Sequence, residues 1–380
     1  MDFKVYHYTA QAFLSGNMDI YNVAYQPNFY FKYAPMWGLF FMPFGFFSLQ
    51  TGSIIYELLN LILVIANLHI IGLILKYYKI IFHPILYVIG MLVLSNVIVS
   101  DIMQGQQNFL VSYLVLLALY AYLKKQWYAF SALLLSSAVS LKLPALIFLF
   151  FFLKKRDIRM LLWILIFFIS TNVISAALLN PAQPFKLFLD WFNVLFTSNS
   201  LLLFNDGTRS VFTLFGRYLS DITRFHLNFL SLSKFTVKGL AMILGFMMTL
   251  ISLFPLFRSK RENLGKEELV TLSTLMILMV LFNPSVWSVN YSSLLFPVIY
   301  ALILSRYILL KPAYSSFYLL FSLLICNWFM HKKAWALLGM KVFQGTSELD
   351  SVFLPLPIFG ILLYIFLIKA FKDCLLLSKT

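Results

Sequence analysis

Only 14 of the 380 residues are acidic, so each carboxylate can be weighed as a chemical group. Asp2 opens a mixed polar stretch, MDFKVYHYTAQAFLSGNMDIYNV, in a chain that is otherwise mostly apolar. Asp101 stands just before GQQN (105–108), Lys142 lies in SLKLP (140–144), and Arg209 follows NDGT (205–208). A carboxylate within hydrogen-bond reach of a hydroxyl can take its proton. Lysine and arginine stabilise the charge that develops on a departing phosphate. Together these residue types suit the displacement of a phosphate by a hydroxyl. Phosphate leaves as a stable anion and needs no general acid, whereas expelling an alcohol from a glycoside ordinarily takes two carboxylates. The sequence has no HExxH, no Cys/His metal spacing, no Walker loop, no GxGxxG and no Asp-x-Asp. Nothing in it demands a metal or a cofactor.

The elements that must position these groups are set by composition. The chain is 61% hydrophobic and 11% charged, against about 45–50% and about 25% in a soluble domain. Such a chain cannot cover its surface with charge in water, and it reads as an all-α, multi-pass membrane protein in a single domain over 1–380. The net charge of +15 comes from short basic clusters between apolar runs, the pattern of cytoplasmic loops facing anionic lipid, so membrane lipids and not nucleic acid are the expected partners. The two cysteines, Cys326 and Cys374, suggest no disulfide framework.

Apolar runs near 53–75, 81–100, 107–123, 160–179, 237–257, 268–282, 291–310, 313–330 and 353–370 approach the roughly 20 residues a spanning helix needs. The stretch 34–47, broken by Pro35 and Pro43, reads as re-entrant or interfacial. Fewer than 30 residues separate Lys125 from Lys154, so the chain there is expected to rise and return as two short helices. Lys142 then stands at the turn, and Pro144 breaks the helix. About 9–11 membrane helices result, each of about 20 residues or fewer. Placing the basic clusters inside gathers residues 1–33, 100–108, 140–144, 180–235, 283–290 and 331–352 on the outer face, although HKK (331–333) there runs against the positive-inside rule. An outer surface, one base and several cations fit transfer of a sugar from a lipid-linked phosphate.

Two segments also resemble a known family. DFKVYHYTAQAFLSGNMDIY followed by FYFKYAPMWGLFFMPF is similar to the signature of glycosyltransferase family 87, the GT-C-type enzymes related to polyprenyl-phosphate-mannose mannosyltransferases. The likeness is carried by Asp2, Phe3, Val5, Tyr6, Gly16, Tyr21, Phe31, Tyr33 and Pro35. GQQN resembles the family's Gly-Gln-x-Asn, and SLKLP its Lys-x-x-Pro-like turn loosely. NDGTRSVFTLFGRYL (205–219) and NPSVWSVNY (283–291) stand where the family has Asn-Gln-Ser-Leu…Arg and Ser-Pro-x-x-Trp-x-His-His. The His-His pair is absent, so no role for it carries over. Family members also have a membrane helix before the Asp. Either Met1 is an internal methionine or that helix is lost.

The resemblance implies an inverting transfer of a hexose, mannose by family likeness, from a polyprenyl-phosphate sugar to a lipid or glycan acceptor in a bacterial plasma membrane. Asp2 would be the base, and Lys142 and Arg209 would hold the phosphate. Tyr6, Tyr33, Asp101, Gln106, Asn108 and Trp287 would bind sugar or acceptor. Plainer readings compete. Asp2 could cap a short helix running to Ser15 and ended by Gly16, Asp101 could sit in a solvated loop, and Lys142 could snorkel. The tyrosines and tryptophans could be belt residues. His7 reads as structural, and Lys32, Arg217 and Arg224 as headgroup contacts. A transporter of a lipid-linked saccharide would need a polar path through the spans, where Glu57 is the clearest ionisable residue. A non-catalytic assembly subunit would not need Asp2 at all.

Overall fold

The polar opening stretch folds as helix α1 (Asp2–Leu14), with Asp2 in its first turn, where a carboxylate opposes the positive end of the helix dipole. Gly16 ends it at φ +93°, a conformation open to glycine at little cost. There Gly16 N–H bonds Phe13 O and Asn17 N–H bonds Ala12 O, a glycine-closed helix end. The computed structural model describes residues 2–21, 25, 30–124, 127–202, 204, 208–221, 228–257, 264–307 and 355–377. The expected span 313–330, the segment 331–352, Arg224 and the acidic residues Asp206, Glu348 and Asp350 lie outside the described residues.

All described elements are helical: α2 (Pro35–Phe41), α3 (Leu49–Tyr77), α4 (Ile85–Val93), α5 (Ser95–Gln104), α6 (Asn108–Leu123), α7 (Tyr128–Leu141), α8 (Leu149–Lys154), α9 (Ile158–Leu179), α10 (Pro184–Leu202), α11 (Val211–Leu219), α12 (Lys234–Leu253), α13 (Leu264–Leu281), α14 (Leu295–Tyr307) and α15 (Pro355–Leu377). Short 3-10 turns cover Met42–Phe46, Leu143–Phe148, Phe254–Phe257 and Ser288–Leu294. No β-strand occurs among the described residues. This is a multi-pass membrane protein.

Among the described residues, four stretches are long and apolar enough to cross a membrane: Leu49–Tyr77, Ile158–Leu179, Lys234–Leu256 and Ser288–Ser305. The expected span 81–100 instead forms α4 and α5, bent by 70°. The bend falls just before Ser95 and Asn96, whose short polar side chains compete with helix bonding. At 16 residues, α6 is about 24 Å long, short of a hydrocarbon core of about 30 Å. Helix α13 begins with Lys266, Glu267 and Glu268, too much charge for a plain span; Tyr78 donates to Glu268 there. Around residue 142 the chain does rise and return, as α7 and then a 3-10 turn with Pro144 near its start. Pro35 likewise opens α2, and Pro43 sits in the 3-10 turn that follows.

The helices cluster into two compact units, one of residues 1–74 with 101–201 and one of 75–100 with 202–380. In the first, α6 packs on α7, α7 on α9, and α9 on α2, while α1 lies against α2 and the turn after it. Helix α7 presents buried Ser131, Ala132, Ser136, Ala138 and Ser140, small residues that let helix backbones approach within a membrane. Hydrogen bonds then cross between helices: Ser131 Oγ donates to Ala118 O at 2.6 Å, and Asn172 Nδ2 to Ser140 Oγ at 2.7 Å. In the second unit, α13 and α14 pack on α15, α14 on α4, and α12 on α11 and α13.

Candidate active site

Four segments of the first unit meet around Asp2. The end of α5 brings Asp101, the α5–α6 connection brings Gln106 and Gln107, α6 opens with Asn108, and Lys142 ends α7. Gly105 makes the connection possible. Its φ is +66°, and a Cβ there would lie 2.7 Å from Phe3 Cβ. The turn is therefore pressed against α1, one residue from Asp2. Gly105→Ala is expected to cost about 1–3 kcal/mol in backbone strain, besides the clash. It should lower the Tm in detergent and lower kcat more than donor affinity, because Asp2 and Gln106 would move apart.

Gln106 Nε2 donates to Asp2 Oδ2. Asn108 bridges the other two ionic groups: its Nδ2 donates to Asp101 Oδ1 at 2.6 Å, and its Oδ1 accepts from Lys142 Nζ. Asp101 is fully buried, which overturns the solvated-loop reading. Lys142 does not snorkel, since its ammonium faces inward to Asn108 with Asp101 and Asp2 as its electrostatic neighbours. Burial pushes the Asp2 carboxyl above the usual carboxylate range, against the pull of nearby positive charges, Lys142 and Lys32 among them, and of the Gln106 amide.

A tyrosine chain runs beside the carboxylate. Tyr6 and Tyr33 hydroxyls bond at 3.0 Å, and Tyr33 OH donates to Gln107 Oε1 at 2.7 Å. Burial keeps both phenols above their ordinary range, so they act as neutral donors. The segment carrying Tyr33 is pinned at three points: Tyr21 OH to Tyr33 O (2.7 Å), Trp191 Nε1 to Lys32 O (3.0 Å) and Ala34 N–H to Ser140 O (3.2 Å). Tyr6 and Tyr33 are packed edge-on with ring centroids 5.5 Å apart, and Tyr6 is fully buried. Neither is a belt residue facing lipid. Tyr33→Phe leaves Gln107 Oε1 and Tyr6 OH without their shared partner. Steady-state kinetics should show kcat lower by about tenfold, the worth of one buried hydrogen bond, with the fold retained.

Arg209 and Trp287 belong to the second unit, where one connection holds both. Arg209 N–H donates to Val286 O at 2.7 Å, Tyr291 OH to Arg209 O at 2.8 Å, and Arg209 Nη1 to Thr208 O at 3.1 Å. Arg209 is 6% exposed and Trp287 43%. The expected residues thus fall into two groups, Asp2 with Tyr6, Tyr33, Asp101, Gln106, Asn108 and Lys142, and Arg209 with Trp287. His7 is structural: its Nε2 lies 2.9 Å from Phe47 O. Arg217 is fully buried and is no headgroup contact.

Two further residues join the site through contacts distant in sequence, Gln107 and Tyr56. Gln107 is fully buried and holds Tyr33; it lies within GQQN, between Gln106 and Asn108. Tyr56 on α3 stacks on Phe3 at 5.4 Å, and nothing in its sequence context marks it.

Comparison with family models matches residues 31–284 to Glycosyltransferase family 87, two thirds of the chain. No curated protein matches it. The chain belongs to glycosyltransferase family 87 and is a membrane-embedded glycosyltransferase. Asp2 precedes the matched residues.

Proposed function

We propose that this member of family 87 moves a hexose, mannose in the first instance, from a polyprenyl-phosphate sugar to a lipid or glycan acceptor at the outer face of a bacterial plasma membrane. The observation that carries the reading is a partly exposed carboxylate, Asp2, set beside buried Asp101 and the inward-facing ammonium of Lys142 in an otherwise apolar protein. Polar groups in such surroundings are expensive and mark function by default.

The acceptor hydroxyl attacks C1 of the sugar and gives its proton to Asp2, whose raised carboxyl is matched to that task. The C1–O bond to phosphate breaks as the new glycosidic bond forms, its electron pair leaving with the phosphate oxygen. One displacement inverts the anomeric centre. Positive charge on the cationic side chains beside Asp2 stabilises the developing phosphate charge. Gln106 holds Asp2, while Asn108, Asp101 and Tyr33 orient the acceptor or the sugar hydroxyls. Tyr6 backs Tyr33 through the bond between their hydroxyls.

The test is transfer from radiolabelled polyprenyl-phosphate mannose to a mixed lipid acceptor pool, with purified protein in lipid. Labelled product supports donor and sugar together. Donor binding without product points to another sugar or to a transporter. Wild-type protein that neither binds nor transfers would sink the donor assignment.

A further inference from the structure

Lys142 is occupied by the protein itself. Its Nζ donates to Asn108 Oδ1, and it faces both Asp101 and Asp2. Two carboxylates and one ammonium sum to one negative charge when all are ionised, a poor welcome for a phosphodiester. A further cationic side chain stands on the pinned segment before α2. Lys32 lies two residues before Ala34, whose N–H bonds Ser140 O, and Ser140 lies two residues before Lys142. Its carbonyl is fixed by Trp191, and its flanking rings, Phe31 and Tyr33, pack against Phe41. The Lys32 charge is close enough to Asp2 for the two to interact.

Lys32, like Lys142, keeps a partly exposed side chain, but among the described residues its ammonium makes no hydrogen bond or ion pair, whereas that of Lys142 bonds Asn108. A headgroup contact at the rim would leave it well solvated, yet burial lowers its affinity for a proton despite the neighbouring carboxylate. A partly desolvated ammonium with no protein acceptor, beside the base, is free to take an oxyanion.

We infer that Lys32 is the residue of the first unit that grips the phosphate ester of the lipid donor and of the departing lipid phosphate, while Lys142 positions Asp101 and Asp2. The inference rests on the donor reading above and names a residue that reading does not use. It adds a positive charge to the Asp2–Asp101–Lys142 cluster before substrate enters. The same ammonium chemistry would also suit an anionic phospholipid headgroup, so the test must separate the two sources.

The probe is a fluorescent polyprenyl phosphate without sugar, titrated against full-length protein in neutral phosphatidylcholine nanodiscs and in discs with phosphatidylglycerol added. Lys32→Met should weaken binding by about ten- to a hundredfold, the worth of one hydrogen bond to a charged group. Lys32→Arg should restore most of it, and Lys234→Met, at an exposed lysine, should bind like wild type. Phosphatidylglycerol should not compete. Lys32→Met binding as tightly as wild type overturns the assignment while leaving the donor reading intact. Phosphatidylglycerol displacing the probe from wild type but not from Lys32→Met makes Lys32 a headgroup contact, which also overturns it. Wild type that binds no probe in either disc overturns the donor reading and this assignment together.

Discussion

Asp2→Asn is expected to lower sugar transfer by about 10²–10⁴-fold, the usual worth of a positioned general base, with donor binding and fold unchanged. The amide is isosteric and still offers an oxygen to Gln106 Nε2, so the contact between α1 and the Gly105 turn survives. Stability should hold or rise. Burial raises the Asp2 carboxyl, so the folded state favours its protonated form; that contribution is present at low pH and lost as pH rises through the folded pKa. At neutral pH the ionised form bears the desolvation cost, and the amide removes it. The pH profile has the opposite sense. Only ionised Asp2 can accept a proton, so wild-type kcat/KM should fall as pH drops through a value above the usual carboxylate range. Purified Asp2→Asn that transfers within a few-fold of wild type, with that acid limb intact, would reduce Asp2 to a helix-end residue.

Local chemistry made part of this site legible. Gly16 marked the end of α1, Pro35 and Pro43 the broken segment, and Pro144 the turn that presents Lys142, because each acts through its own backbone. Asp2, Gln106 and Asn108 stood out as polar residues in motifs flanked by apolar runs. What stayed hidden depends on contacts distant in sequence. Gln107 matters because Tyr33, 74 positions earlier, donates to it, and Tyr56 because α1 lays Phe3 across its ring. Lys32 resembled any lysine near an interface until the segment carrying it was seen pinned to α7 and α10. Buried Arg217 misled the same way, since a sequence shows a basic residue but not what covers it. The spans erred where polar residues sit at the edge of an apolar run, at Ser95–Asn96 and at Glu267–Glu268.

The other large effect belongs to Lys142, and it separates positioning from catalysis. Lys142→Met removes the ammonium bonded to Asn108 Oδ1 and takes a neighbouring positive charge away from buried Asp101. Breaking a buried ionic arrangement by deleting one partner costs about 3–5 kcal/mol, so this variant should show a markedly lower Tm and little transfer. The diagnostic is the double variant Lys142→Met with Asp101→Asn. Removing the Asp101 charge as well should return most of the lost stability, because replacing both members of a buried pair is often close to neutral. Activity should not return with it, since Asp2 would still lack one of the cations that favour its ionised form. Its acid limb should then move to higher pH, because losing a nearby positive charge raises a carboxyl further. Recovery of both stability and transfer in the double variant would mean that Lys142 serves only to neutralise Asp101, leaving Asp2 to rely on Lys32 as its nearby cationic side chain.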